Sequence, residues 1–269
     1  MTKNQKSMLI KEIDKDGILR ITLNDINNKN ALSSLMIKEL KEAINQSNSN
    51  NSIKVIVIGA EGNVFCSGHN LKEINKARSD NDNGELFFVE LFKECSSLMQ
   101  QLVDCRKPII AEVDGVATAA GCQLVASCDL AISSDNSRFA TPGVDIGLFC
   151  STPMVALSRS VSKKDAMMML LTGDMISASE AKRISLINDH VPVEDLKGSV
   201  MDLARNISKK SSSIIELGKE AFYKQLNLNL KDAYKHTSEV MVKNALKDEA
   251  VEGINAFIEK RDPNWKEND

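Results

Sequence analysis

Hydrophobic and polar positions divide the chain into two differently patterned parts. Up to about Asn188, short apolar β-rich runs alternate with helical ones. The runs Ile18–Leu23, 55–58, Ile109–Val113 and 130–133 predict strands. Between the first two, Leu35, Met36, Leu40, Ala43 and Ile44 recur at helical spacing and predict an amphipathic helix over 33–46, with Ser33 or Ser34 as its N-cap. From Glu194 onward the pattern is helical throughout, over 194–209, 213–226, 230–247 and 251–260. The organisation predicted is therefore an α/β unit over 1–193 followed by a helical region over 194–269. One segment, 75–85 (NKARSDNDNGE), is polar and aperiodic and predicts a mobile surface loop.

Composition changes this picture little. The 269 residues are 42% hydrophobic and 26% charged, an ordinary globular mixture with a formal charge of −3. That charge leaves no electrostatic footprint for nucleic acid or an anionic membrane, and no apolar run approaches the length of a membrane span. The stretch MTKNQKSMLIKEIDKDG has no apolar core of signal-peptide length, carries acidic residues and lacks Arg, which leads to the expectation of a cytosolic protein. Six cysteines without CxxC spacing read as buried thiols, and with three scattered histidines no metal site is expected.

Several common sites are missing. No GxGxxG follows a strand, no GxxxxGK[ST] occurs, and Ser67 lies in FCSGH rather than in a GxSxG elbow. Two stretches remain, VIGAEGNVFCSGHNLKE and the run ATAAGCQLVASCDLAI preceded by KPIIAEVDGV. In each, small residues follow a strand and open a helix. Such a junction leaves backbone N–H groups unpaired and suited to an oxyanion. Small residues at that place equally serve close helix–strand packing, and the pattern alone leaves both readings open.

The stretches FCSGHNLKE, KPIIAEVDGVATAAGCQLVASCDLAISSDNSRFATPGVDIGL, LLTGDMISASEAKRISLINDHVP and GINAFIEKRDPNW together resemble the crotonase (enoyl-CoA hydratase/isomerase) superfamily over nearly the whole chain. Within it, GCQLVASCD and FATPGVDIGLFCSTP are similar to the group of enoyl-CoA hydratase domain-containing proteins 3. The resemblance implies an α/β crotonase spiral of ββα units, with C-terminal helices that drive a homotrimer or a dimer of trimers. It implies an acyl-CoA thioester as ligand and no further cofactor. By motif position, the N–H groups of His69 and Ala120 would polarise the thioester carbonyl. The His69 imidazole would line the acyl pocket or act as an acid/base. Ser67, Asn70, Leu71 and Lys72 would contact CoA, as would Lys29 and Ala31 in NNKNALSS, and Lys260 would reach a CoA phosphate.

The sequence departs from the pattern where hydratases keep two glutamates. The first position is Gln123 and the second Gly143. Hydration needs a base for water and an acid for the α-carbon, each worth about 10²–10⁴-fold. Gln123 cannot accept a proton and Gly143 offers no side chain, which weighs against classical hydration by paired carboxylates and weakens single-base isomerisation. Asp145, two residues on, would regain the same face if the segment were extended. Ser151 is a poor base, Cys150 would need a depressed pKa, the resemblance implies a structural Asp129, and Met167 to Met169 read as packing. Three functions remain open: a hydratase or isomerase, other acyl-CoA chemistry such as thioester hydrolysis or decarboxylation, or a low-turnover acyl-CoA-binding module.

Overall fold

The computed structural model describes residues 7–265. Along the chain run β1 (Leu9–Ile13), β2 (Ile18–Leu23), α1 (Ser34–Asn48), β3 (Val55–Ala60), β4 (Val64–Cys66), α2 (Leu71–Ala77) and α3 (Glu85–Asp104). Then follow β5 (Ile109–Val113), β6 (Val116–Thr118), α4 (Ala120–Ser127), β7 (Leu130–Ser134), β8 (Arg138–Ala140), α5 (Pro153–Ser160) and α6 (Lys163–Thr172). The remainder comprises β9 (Ile176–Ser177), α7 (Ala178–Arg183), β10 (Asp189–Val191), α8 (Val193–Ser208), α9 (Ser212–Gln225), α10 (Leu230–Ala245) and α11 (Asp248–Glu259).

Two sheets organise these elements. The larger runs β1-β2-β3-β5-β7-β10, antiparallel only between β1 and β2; the smaller runs β4-β6-β8-β9. Each of three successive passes lays one strand in the large sheet, one short strand in the small sheet, and then a helix. This repetition of ββα units is the crotonase spiral. The central strands β3 and β5 are buried on both faces, which accounts for their continuous apolar runs.

One face of the large sheet packs against the small sheet, α1, α3 and α4 in the main core. The other face is covered by Leu196, Val200 and Ala204 of α8, set against Ile18, Val55, Val57, Ile110 and Ile132. Ser33 is the N-cap of α1, its hydroxyl accepting from the Met36 N–H at 3.1 Å. The segment 75–85 is not one loop. α2 extends through Ala77, and α3 begins at Glu85 after a run of turns in which Asp82 accepts from the N–H groups of Gly84 and Leu86. Polar composition hid these helix ends because Ala77 is the one residue of the segment that packs as a buried apolar side chain, too little for a helical period to register. All six cysteines are free and buried.

Candidate functional site

The turn from β6 into α4 departs from ordinary backbone geometry. Ala119 sits at φ 51, ψ −118, a positive φ at a residue with a β-carbon. It is held there by two bonds: its N–H donates to Ala140 O at 2.9 Å, and its carbonyl accepts from Gln123 N–H at 3.0 Å. No side chain caps the helix that follows, although Ala120 through Val125 are all buried. The first N–H groups of α4 thus lie at a buried helix start with no acceptor among the described residues, a place for an anionic or partly charged oxygen. Gly121 packs so closely that a β-carbon there would stand 2.1 Å from Cys66 O.

A second backbone segment lies against this terminus. A β-carbon built on Gly68 would be 3.3 Å from Ala120 N, which brings His69 and Ala120 to the same place. The stretch is fixed from the other side by the loop before α1. Leu32 N–H donates to Gly68 O at 2.7 Å, Ser67 N–H donates to Lys29 O at 3.2 Å, and Leu32 bridges His69. The loop itself is clamped by Asn30, buried and left-handed at φ 49. Its side-chain N–H groups donate to Glu61 O and Val64 O at 2.9 and 2.8 Å, and its carbonyl accepts from Asp25 N–H at 2.8 Å.

Among the expected CoA contacts, six come from this region, Ala31 as a buried residue. Lys29 and Ala31 lie on the clamped loop. Ser67 precedes Gly68, and Asn70 caps α2 by accepting from Lys72 N–H at 3.0 Å. Leu71 is more than half exposed, and Lys72 Nζ donates to Asn28 Oδ1 at 3.3 Å. Lys260, at the C-terminus of α11, is exposed, and no hydrogen bond or ion pair among the described residues joins it to them. The His69 ring meets Phe92 of α3 edge-on at 5.4 Å, and its Nε2 is buried with no hydrogen-bond partner among the described residues. Burial pushes its pKa down to about 4, so the ring is neutral at neutral pH.

The wall after β8 completes the site. Thr141 is buried, and residues Pro142–Ile146 form a 3-10 turn. A β-carbon at Gly143 would stand 2.9 Å from Cys150 Sγ, 3.1 Å from Leu148 O and 3.2 Å from Cys150 N. The returning chain fills the space in which a residue at 143 would begin its side chain. The turn also removes the basis for placing Asp145 on the Gly143 face, since that needed an extended backbone. Asp145 is exposed, with Oδ2 3.0 Å from where a β-carbon on Gly173 would lie. Gln123 is only 4% exposed, and its Oε1 has no hydrogen-bond partner among the described residues. Burial pushes the Cys150 thiol up, which opposes a nucleophilic role. Ser151 is exposed and donates to Phe149 O at 3.4 Å.

Away from this wall, Asp129 accepts from Ile109 N–H, Lys219 Nζ and Tyr223 OH at 2.7, 2.7 and 2.8 Å, tying α9 to the core. Met169 is buried, whereas Met167 and Met168 are half or more exposed. Sequence reasoning did not single out Asn30, Phe92 or Thr141. Asn30 had a signal, since asparagine tolerates the left-handed region in a tight turn; the other two had none.

Comparison with known proteins bears on this geometry. Residues 14–268 match the enoyl-CoA hydratase/isomerase family. The mitochondrial enoyl-CoA hydratase domain-containing protein 3 of Xenopus laevis is 50% identical over 249 residues, 93% of this chain and 83% of that protein. The Homo sapiens protein of the same name is 48% identical over 250 residues, 93% and 81% of the two chains. The crystal structure of the human protein superposes with a TM-score of 0.91 at 46% identity, covering 96% of this chain and all of that one. An enoyl-CoA hydratase from Mycobacterium smegmatis gives a TM-score of 0.92 at 39% identity, covering 96% and 98%. The relatives named as mitochondrial overturn the cytosolic expectation and point to the mitochondrion. That expectation rested on the composition of 1–17, and charge balance in so short a stretch does not determine compartment. The chain belongs to the enoyl-CoA hydratase/isomerase family.

Proposed function

We propose that this protein binds an acyl-CoA thioester, with the thioester carbonyl held between the N–H groups of His69 and Ala120, and that it does not carry out hydration by paired carboxylates. The observation that carries the reading is the uncapped, buried start of α4 behind the positive-φ Ala119. Two fixed amide donors stabilise negative charge developing on the carbonyl oxygen without reorganising, and need no particular side chain. Lys29, Ala31, Ser67, Asn70, Leu71 and Lys72 line the approach for the CoA moiety. Lys260 reaches a CoA phosphate only through a neighbouring subunit in this reading, within a homotrimer or dimer of trimers.

What the site lacks is a proton carrier. Gln123 can orient a donor but cannot take its proton, and Gly143 has neither a side chain nor room for one. Asp145 faces Gly173, and neutral His69 with its low pKa is a weak base and supplies no acid at neutral pH. Acyl-CoA binding is therefore expected with hydration far below that of a carboxylate-bearing relative.

Titration calorimetry with butyryl-CoA and free CoA, beside a crotonyl-CoA hydration assay run against a two-glutamate hydratase, tests this. The expected result is tighter binding of the thioester than of CoA, and hydration lower than the control by at least about 10²-fold. Hydration at the control's rate would overturn the second half, and absence of thioester binding the first. Product from a panel of saturated or malonyl-type thioesters would move the reading to hydrolysis or decarboxylation on the same cradle.

A further inference from the structure

Residues 260–265 leave α11 and turn back along it as a strap that is anchored at both ends. The helix closes with Arg261 N–H donating to Ala256 O at 3.0 Å, around a left-handed Lys260 at φ 54. Arg261 then forks onto Glu252, Nη1 to Oε1 at 2.6 Å and Nη2 to Oε2 at 2.9 Å, while its Nε donates to Glu259 at 2.7 Å. Asn264 N–H donates to the same Glu252 Oε1 at 2.7 Å. At the far end, Trp265 Nε1–H donates to Lys209 O at 2.8 Å. The indole lies so close to Gly253 that a β-carbon there would stand 3.1 Å from it.

The strap buries little, since 260–264 are all exposed, so its bonds fix a shape rather than seal the core. The residue at the bend is the unusual one. Glycine is the ordinary occupant of a left-handed helix end, and a lysine there stores strain. An ammonium favours a helix C-terminus from anywhere in the last turn, so the dipole alone gives no reason for that strain. Arg261 is neutralised by Glu252 and Glu259, whereas Lys260 Nζ has no hydrogen bond or ion pair among the described residues. Strain that the surroundings hold in place leads from the outlier to a function, here an unpaired cation with a fixed backbone direction.

Resting on the acyl-CoA reading above and its use of Lys260, we infer that Glu252, acting through Arg261, and Trp265 are positioning residues. They hold the strap so that Lys260 presents its ammonium to a CoA phosphate in the neighbouring subunit. A long side chain loses much freedom on pairing, and a backbone fixed beforehand reduces what is left to lose.

Calorimetric titration of the full chain with butyryl-CoA, arranged as double-mutant cycles, tests it. Lys260→Gly keeps the left-handed bend and removes the ammonium. It is expected to weaken binding about fivefold or more and to melt no lower than the parent. Glu252→Gln and Trp265→Phe are each expected to weaken binding about two- to threefold in the parent, and to leave the affinity of the Lys260→Gly protein unchanged. A strap with only a structural role would give the same loss in both backgrounds, and that outcome would overturn the inference. So would parent-like affinity in both Glu252→Gln and Trp265→Phe. Melting curves establish that each of these two variants folds, and if one does not, the other decides. Parent-like affinity in Lys260→Gly would also overturn the inference and leave thioester binding standing, with Lys260 a solvated charge. A parent protein that binds no butyryl-CoA would remove both.

Discussion

Gly143 shows how a residue can be absent for reasons of space as well as chemistry. Its β-carbon position is hemmed by Cys150 Sγ at 2.9 Å and by two backbone atoms, Leu148 O and Cys150 N. Restoring a glutamate by Gly143→Glu is therefore expected to destabilise the protein by about 1–3 kcal/mol, read as a lower urea midpoint, and not to create hydration. Cys150→Ala in that background should recover only part of the loss, because the two backbone contacts remain. A full recovery would show that the thiol alone fills the space. His69 gives a second prediction at this scale. Its folded pKa of about 4 lies below the ordinary 6.5, so between those values the unfolded chain binds the extra proton. The stability it allows is fully present above pH 6.5 and is lost as pH falls toward 4, by at most about 3 kcal/mol. Denaturant titrations across that window should show a shallower fall for His69→Phe than for the parent. Equal slopes would mean that the imidazole is hydrated in the folded state.

Among the elements, α9 is attached to the core by polar rather than apolar contacts. Its one buried apolar residue is Ala221, while Lys219, 8% exposed at the side chain, and Tyr223 both end on Asp129. Asp129→Ala is expected to cost about 3–5 kcal/mol in chemical denaturation, since it leaves a buried ammonium and the Ile109 N–H without their carboxylate. Lys219→Met, which removes the charge along with its need, should cost less. The same distinction explains what was legible in the sequence. β2 and β5 are read from the chain at their observed bounds because they are apolar runs in a buried, mostly parallel sheet. β4, β6 and β8 are three residues each, too short for any period to register. β1 escapes because it is an edge strand with only Leu9 buried, so its alternation is mostly charge. At the site, the small residues at 119–121 announce a close approach, but the positive φ of Ala119 is set by β8 through Ala140, more than a dozen residues away. The burial of Thr141 depends on packing that no local pattern encodes.

For the whole molecule, the described surface is least balanced on its C-terminal helices. α10 buries no residue fully, and Leu230, Leu246, Phe257 and Ile258 are 70–85% exposed. Apolar side chains exposed to that degree and clustered on neighbouring helices mark an interface rather than a solvated face. The small net charge of −3 opposes association weakly, and the family resemblance supplies threefold assembly as the arrangement to test. Light scattering of the purified protein should therefore give the mass of three or six copies of the chain. Phe257→Glu and Leu246→Glu together should shift it toward one copy, since each places a carboxylate where the partner's apolar surface would desolvate it. If the CoA phosphate is reached by Lys260 across that interface, the dissociated variant should also lose affinity for butyryl-CoA, and adding salt to the intact assembly should weaken binding in the same direction. A monomeric parent protein with full thioester affinity would instead place the whole binding site within one chain and leave Lys260 as a solvated charge.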